Sequence, residues 1–372
     1  MTKRLIVLLS IVAVLAGLFF LGGGWDTASV AGHDHDHDHD HAHPHDHGDA
    51  VRWVRRPSQV LDDPAYQEPA EQPLVEILSQ ELFISGDAPF MAPRFSADGK
   101  YVIFTGESYR GIWVANRDGS GLTQVTDSNM AGWRPVTTRE GELIYRTAEF
   151  HDNGDLTFSI HVYDFETGAS KEIYSGTNED IYPPWLSRDH DMLMVLRDGE
   201  IVPVPLREVP GALPLHERDE GIAYSDGGQV WYRHLSMNEP LSVSTDTQAT
   251  GGEVASPCGN YVAYLSGNSE SALIVDLRTG SEIDIGEGSN LAWSPDGSLL
   301  LYDVTSDDGR VILDSELFII RPDGEDRQRV TFDGERAFMN PSWSPEGNSF
   351  VAEDAHTGEI FHFQVRVNNA TQ

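Results

Sequence analysis

The chain has a single cysteine among 372 residues, Cys258, in the run Ser256-Pro257-Cys258-Gly259. No intramolecular disulfide can form, so packing and hydrogen bonds alone must hold whatever fold the chain adopts. No cysteine follows the apolar leader, which argues against a lipoprotein anchor, and no histidine neighbours Cys258, which reads as a turn residue rather than a nucleophile. Lysine is nearly missing too: only Lys3, Lys100 and Lys171 occur, and arginine carries the rest of the positive charge. With 25 basic against 60 acidic residues the formal charge is −35. Such a chain repels phosphate backbones and anionic lipid surfaces, and no basic stripe interrupts that field, so nucleic acid is not an expected partner. A Gly-x-Ser-x-Gly nucleophile turn is absent as well, which removes the sequence basis for a serine-hydrolase domain behind the repeats described below.

Lys3 and Arg4 precede an apolar run from Leu5 to Leu21, seventeen residues without a charge, followed by Gly22-Gly23-Gly24. This run is longer than the ~7–15-residue core of a signal peptide and shorter than the ~20 residues of a comfortable transmembrane helix. Residues 1–31 therefore read as a signal peptide cleaved after Ser29-Val30-Ala31 or as a retained membrane anchor. Positive charge stays on the cytoplasmic side in both cases, which predicts a periplasmic or extracellular protein that touches membrane only through this segment.

Residues 32–72 read as a disordered tether and spacer. The run GHDHDHDHDHAHPHDHGD places His33, His35, His37, His39, His41, His43, His45 and His47 at every odd position, with six aspartates among residues 34–49. A tract this polar has nothing to bury and cannot offset the entropy of ordering. Neutral imidazole ligates zinc, copper and nickel, and a flexible chain brings several rings to one ion without a preformed site. These eight histidines are the expected metal ligands, for several labile zinc or other divalent transition-metal ions; an inert linker is the competing reading. Residues 51–72, rich in proline, glutamine and charge, read as an extended spacer.

From residue 90 the chain repeats itself: RFSADGKYVIF at 94, AWSPDGSLLLY at 292 and SWSPEGNSFVA at 342, with weaker copies at 133, 185 and 255. Each unit has a bulky head, a tight Asp-Gly-type turn and an apolar β-rich run, then a further strand pair such as VYDFETG at 162 or IVDLRTG at 274. Glycine supplies the positive φ that reverses the chain, the preceding acid hydrogen-bonds the turn, and the aromatic head suits the contact between neighbouring sheets. A period near 40 with alternating strands indicates four-stranded blades set radially. The fold class expected is all-β, a single β-propeller over residues 73–372 with seven blades, or six if GIAYSDGGQVWYRHLSMNEPLSV at 221 is not one. The last unit is short of a strand, and LVEILSQELFISG, residues 74–86, is the segment expected to close the ring.

These units resemble the TolB-like propeller repeats related to WD-type repeats, over about residues 90–367. The resemblance implies a central channel and a binding role. It does not extend to TolB's separate α/β domain, because the residues before the first blade are too few and too polar. Oligogalacturonate lyases are similar in general architecture and use metal-binding histidines from several blades, whereas His151, His161, His190, His216, His234, His356 and His362 show no spacing that predicts convergence. No enzyme activity is expected. The acidic loops around Asp152–Asp155 and Asp307–Asp308 lack a full calcium ligand set, and calcium is the lesser metal expectation. Arg134, Tyr182 and Arg336 lie near blade entrances and are candidates to face the channel. In layout the chain is similar to periplasmic zinc metallochaperones that serve ABC-type importers. Expected partners are envelope proteins, a metal transporter among them.

Overall fold

The computed structural model describes residues 58–368, except 87–88, 178–181, 198–199, 208–216, 218–219, 238, 245–248, 268–270 and 309 and the side chains of 249–250. The leader and the histidine tract lie outside the described residues.

The head motif works locally as its composition predicts. In the first unit Gly99 takes φ 70° and its N–H reaches the carbonyl of Ser96. Ser96 Oγ donates to Asp98 at 2.6 Å and accepts the N–H of Tyr101 at 3.0 Å, so one hydroxyl bridges both sides of the turn. Ser294, Asp296 and Leu299 repeat this arrangement at 2.6 and 3.0 Å. In the weak copy at 185 the glycine is replaced by His190, which takes φ 55° itself, while Ser187 still caps Met192 N–H at 3.1 Å. The turn therefore survives loss of the glycine at the cost of a strained backbone, on the order of 1–2 kcal/mol.

These turns generate seven antiparallel sheets. Blade 1 comprises Phe90–Phe95, Tyr101–Gly106, Ile112–Asn116 and Thr123–Thr126. Blade 2 runs from Val136–Thr137 to Ser170–Thr177, blade 3 from Trp185–Leu186 to Glu200–Pro205, and blade 4 from Gly221–Asp226 to Leu241–Ser242. Blade 5 runs from Ala249–Ala255 to Ser281–Gly286, blade 6 from Ser289–Trp293 to Gln328–Arg329, and blade 7 from Phe338–Trp343 to Ile360–Val367. Blades 3 and 4 have three described strands and the others four, so the segment at 221 is a blade and the count of six is excluded.

Burial fixes the blade order around the ring. One apolar cluster lies at each of the seven seams: Ile103 and Ile112 meet Leu143 and Tyr145 between blades 1 and 2, and Ile144 and Ile160 meet Leu193 and Val195 between 2 and 3. The series continues through blades 3–4, 4–5, 5–6 and 6–7. It closes where Val351 and Ile360 of blade 7 pack on Phe95, Val102 and Phe104 of blade 1. The aromatic heads Phe95, Trp293 and Trp343 sit in these seams, with Trp293 donating to the carbonyl of Val254 in the neighbouring blade at 3.1 Å. The closing strand is where the sequence places it: Val75–Ile84 pairs antiparallel with Ile360–Val367 as the outermost strand of blade 7. Joining an early strand to the last blade ties the two ends of the ring together, with the early strand as the outer edge of that sheet.

The segment before it is not an extended spacer throughout. Ser58 Oγ and the Gln59 N–H bond the carboxylate of Glu287, the latter at 3.0 Å, and Leu61 is buried at the seam of blades 5 and 6. A short 3-10 turn, Pro64–Tyr66, capped by Asp63, sets the Tyr66 ring edge-on to Phe318 with centroids 5.5 Å apart. Apolar residues at 60, 61 and 66 give this stretch something to bury, which a purely polar spacer lacks.

Candidate functional site

Phe90 pairs with Gly106, so each chain entry into an inner strand lies on the same face as the link between the second and third strands, here termed the entry face. Near that face the inner strands share one irregularity. Met91 opposes Thr105 and Arg94 opposes Ile103, so three steps on the inner strand face two on its neighbour. The same bulge recurs at Gly251–Val254, Ser289–Ala292 and Met339–Ser342. Its extra residue adopts positive φ: Ala92 at 51°, Gly252 at 68°, Asn290 at 50° and Asn340 at 51°, with Arg134 of blade 2 at 53° just before Pro135. A bulge re-aims side chains and leaves a backbone N–H without its ladder partner.

Buried acids supply those partners across the seams. Glu353, on the second strand of blade 7, accepts the N–H of Ala92 in blade 1 and the amide of Asn340 at 2.9 Å. Asp303, in the corresponding position of blade 6, accepts the N–H of Asn340 in blade 7 at 3.1 Å, together with Asn290 at 2.8 Å and Ser289 at 2.5 Å. Burial pushes the Glu353 carboxyl up to about 7, against the hydrogen bonds it accepts, with the Asp303 and Asp354 charges adding to the rise. Burial raises Asp303 in the same way, opposed by its hydroxyl and amide donors.

On the other side of the ring Arg134 Nη1 meets Glu253 Oε1 at 2.7 Å. These residues belong to blades 2 and 5, which are three places apart in a ring of seven, so the pair crosses the channel rather than a seam. The Tyr182 hydroxyl, at the entrance of blade 3, donates to the same oxygen at 2.9 Å, and Ser225 of blade 4 donates to Oε2 at 2.7 Å. Burial alone would push the Glu253 carboxyl up, but the Arg134 guanidinium and the Ser225 hydroxyl outweigh it and hold the group below the usual range. Burial, and then the Glu253 charge, push the Tyr182 hydroxyl far up, so it stays a donor. Tyr182 also stacks on Trp185 at 5.4 Å, and Arg146 lies against the rings of Trp133 and Phe158 at 4.7 and 4.4 Å.

Two of the three residues expected to face the channel, Arg134 and Tyr182, therefore meet at Glu253. Arg336 does not join them: it pairs with Asp333 at 2.8 Å and lies over Phe361. Glu253, Arg94, Asp303 and Glu353 were not singled out by the sequence. The available signal was the short polar or proline-bearing stretch a few residues ahead of each head, Ala92-Pro93-Arg94, Arg134-Pro135, Gly252-Glu253 and Asn340-Pro341.

The candidate metal ligands His33, His35, His37, His39, His41, His43, His45 and His47 lie outside the described residues, as does His216. The other propeller histidines sit on four different blades: His161 bonds Thr147 at 3.1 Å, His234 bonds Ser236 at 2.6 Å, His190 accepts the Arg139 N–H from blade 2 at 3.0 Å, and His362 Nε2 is buried without a hydrogen-bond partner. Among the described residues no three His, Cys, Asp or Glu side chains are grouped to hold a metal ion, and no helix is long and apolar enough to cross a membrane. The acidic loops cap their own turns: Asp308 accepts the N–H groups of Arg310 and Val311 at 2.9 and 3.0 Å, and Asn153 bonds Asp155. Cys258 is exposed in its turn beside Ser256.

Strand order and seams define a seven-bladed β-propeller whose channel is bridged on the entry face by a polar network. No family model matches the chain, and no curated protein matches it in sequence. Among solved structures it is similar to an oligogalacturonate lyase in complex with manganese, at 16% identity, covering 74% of this chain and 76% of that one, with a TM-score of 0.38. It is also similar to a chain of the mitotic checkpoint complex, at 14% identity, 84% and 98% coverage and a TM-score of 0.48. TolB from Acinetobacter baumannii matches at 13% identity, 76% and 66% coverage and a TM-score of 0.36. These likenesses are of fold and assign neither ligand nor reaction.

Proposed function

We propose that the protein is a non-enzymatic, extracytoplasmic binding protein: the propeller is a rigid platform, and the histidine tract ahead of it collects labile divalent transition-metal ions of the zinc type for an envelope partner. The observation that carries this reading is the anchor at Ser58 and Gln59. Their bonds to Glu287 fix the chain at the link between the last strand of blade 5 and the first of blade 6, which lies on the entry face. His47 precedes Ser58 by eleven residues, a length that spans at most roughly 40 Å, so metal collected on the tract stays within reach of the propeller mouth.

The non-enzymatic part is supported by how the central groups are used. Glu253, Arg134, Tyr182 and Ser225 are bonded to one another, so no base in this network is left beside a free nucleophile. Purified protein is expected to leave peptide, ester and oligogalacturonide substrates unchanged, with or without added divalent metal. Metal-dependent turnover abolished by replacing one propeller histidine overturns the proposal in favour of a propeller lyase or hydrolase.

A further inference from the structure

We propose that the channel binds a small carboxylate ligand near its entry face, between Arg94 and Arg134. The case begins with Arg94, on the innermost strand of blade 1. Its Nη1 donates to the carbonyl of Pro135 at 3.1 Å, while its Nε is buried with no hydrogen-bond partner. Burial, followed by the charge of neighbouring Arg134, lowers its pKa to about 10, and no carboxylate among the described residues is bonded to it. A guanidinium nitrogen shut off from water without an acceptor, beside a second guanidinium, is unfavourable unless an anion meets it.

The carboxylates around the channel are committed elsewhere. Glu253 is taken by Arg134, Tyr182 and Ser225. Glu353 and Asp303 accept the bulge N–H groups of Ala92 and Asn340, and burial favours their neutral forms. Arg146, the other buried arginine nearby, faces the rings of Trp133 and Phe158. Arg94 Nε is therefore left as a buried donor without an acceptor beside the Arg134 guanidinium. One planar carboxylate matches the forked geometry of guanidinium N–H donors better than a dianion does. Tyr109, which lies within electrostatic range of both arginines, and Tyr182, which shares Glu253 with Arg134, stand beside the site.

This inference deepens the binding reading by naming the chemistry the propeller takes, and zinc uptake by the tract is measured separately, so either can fail alone. The test is calorimetric titration of the full chain with N-acetylglycine and with its neutral isostere N-acetylglycinamide, at constant ionic strength in chloride. Saturable binding of the carboxylate and none of the amide is expected. Arg94→Gln, checked for folding by near-UV circular dichroism, weakens it by about tenfold or more. Glu253→Gln, which removes the resident negative charge, tightens it several-fold. Equal binding of the amide, wild-type affinity in Arg94→Gln, weaker binding in a folded Glu253→Gln, or no saturation up to roughly 50 mM would overturn the assignment.

Discussion

Replacing Val75 and Ile84 together by alanine tests how the ring is closed. These residues sit near the two ends of the closing strand, 1% and 8% exposed, and pack into the blade 6–7 and blade 7–1 seams respectively. Truncating a buried isoleucine to alanine costs about 2–5 kcal/mol, and removing two buried methyl groups from valine costs roughly 1.5–2 kcal/mol. The sites are far enough apart along the strand for the losses to add, giving about 4–7 kcal/mol. Against a total stability of about 5–15 kcal/mol this is a large fraction, and in a domain of this size it lowers the melting temperature by roughly 6–11 °C. Leu78 and Leu82, on the same strand but 49% and 52% exposed, provide the control. Their double alanine variant should stay within about 1 kcal/mol of the parent. Urea and thermal unfolding of the three proteins decide the matter. Equal losses in both variants, or none in Val75→Ala/Ile84→Ala, would show that this strand does not hold the ring shut.

Glu353→Gln should flatten the stability–pH profile between about pH 4.5 and 7. The native carboxyl holds its proton up to about 7 while the unfolded one releases it near 4.5, so the folded state binds more protons in that window. Stability is fully present below the window, falls by about 3 kcal/mol as pH rises through it, and glutamine cannot lose it. Leu61→Ala should release the anchor on blades 5 and 6, seen as faster limited proteolysis between residues 58 and 73; unchanged cleavage would mean the Glu287 bonds suffice alone.

The fold was legible because its signals are local. Ser96-Ala97-Asp98-Gly99 or Ser294-Pro295-Asp296-Gly297 fold into a capped turn with groups no more than five residues apart, and a seam needs only an aromatic head at a steady period. Blade 4 was faint because no aromatic Ser-x-Asp-Gly head precedes Gly221–Asp226 in the sequence. The central network is long-range: Arg134 and Glu253 are 119 residues apart, Tyr182 and Glu253 are 71 apart, and neither pair leaves a motif. The anchor was missed for a related reason, since a proline- and glutamine-rich stretch reads as spacer until the seam that receives Leu61 and Tyr66 exists.

Zinc stoichiometry of the whole protein, compared with a variant in which His33, His35, His37, His39, His41, His43, His45 and His47 are all alanine, tests the central claim most directly. Equilibrium dialysis near pH 7.5 should give more than one zinc per parent chain, decreasing as pH falls through the imidazole range, because protons compete for the same nitrogen at a reference pKa of about 6.5. The eightfold variant should lose most of that capacity while melting at the parent temperature in metal-free buffer. Full zinc uptake by the eightfold variant would contradict the account, placing the ions on the propeller and leaving the tract a spacer.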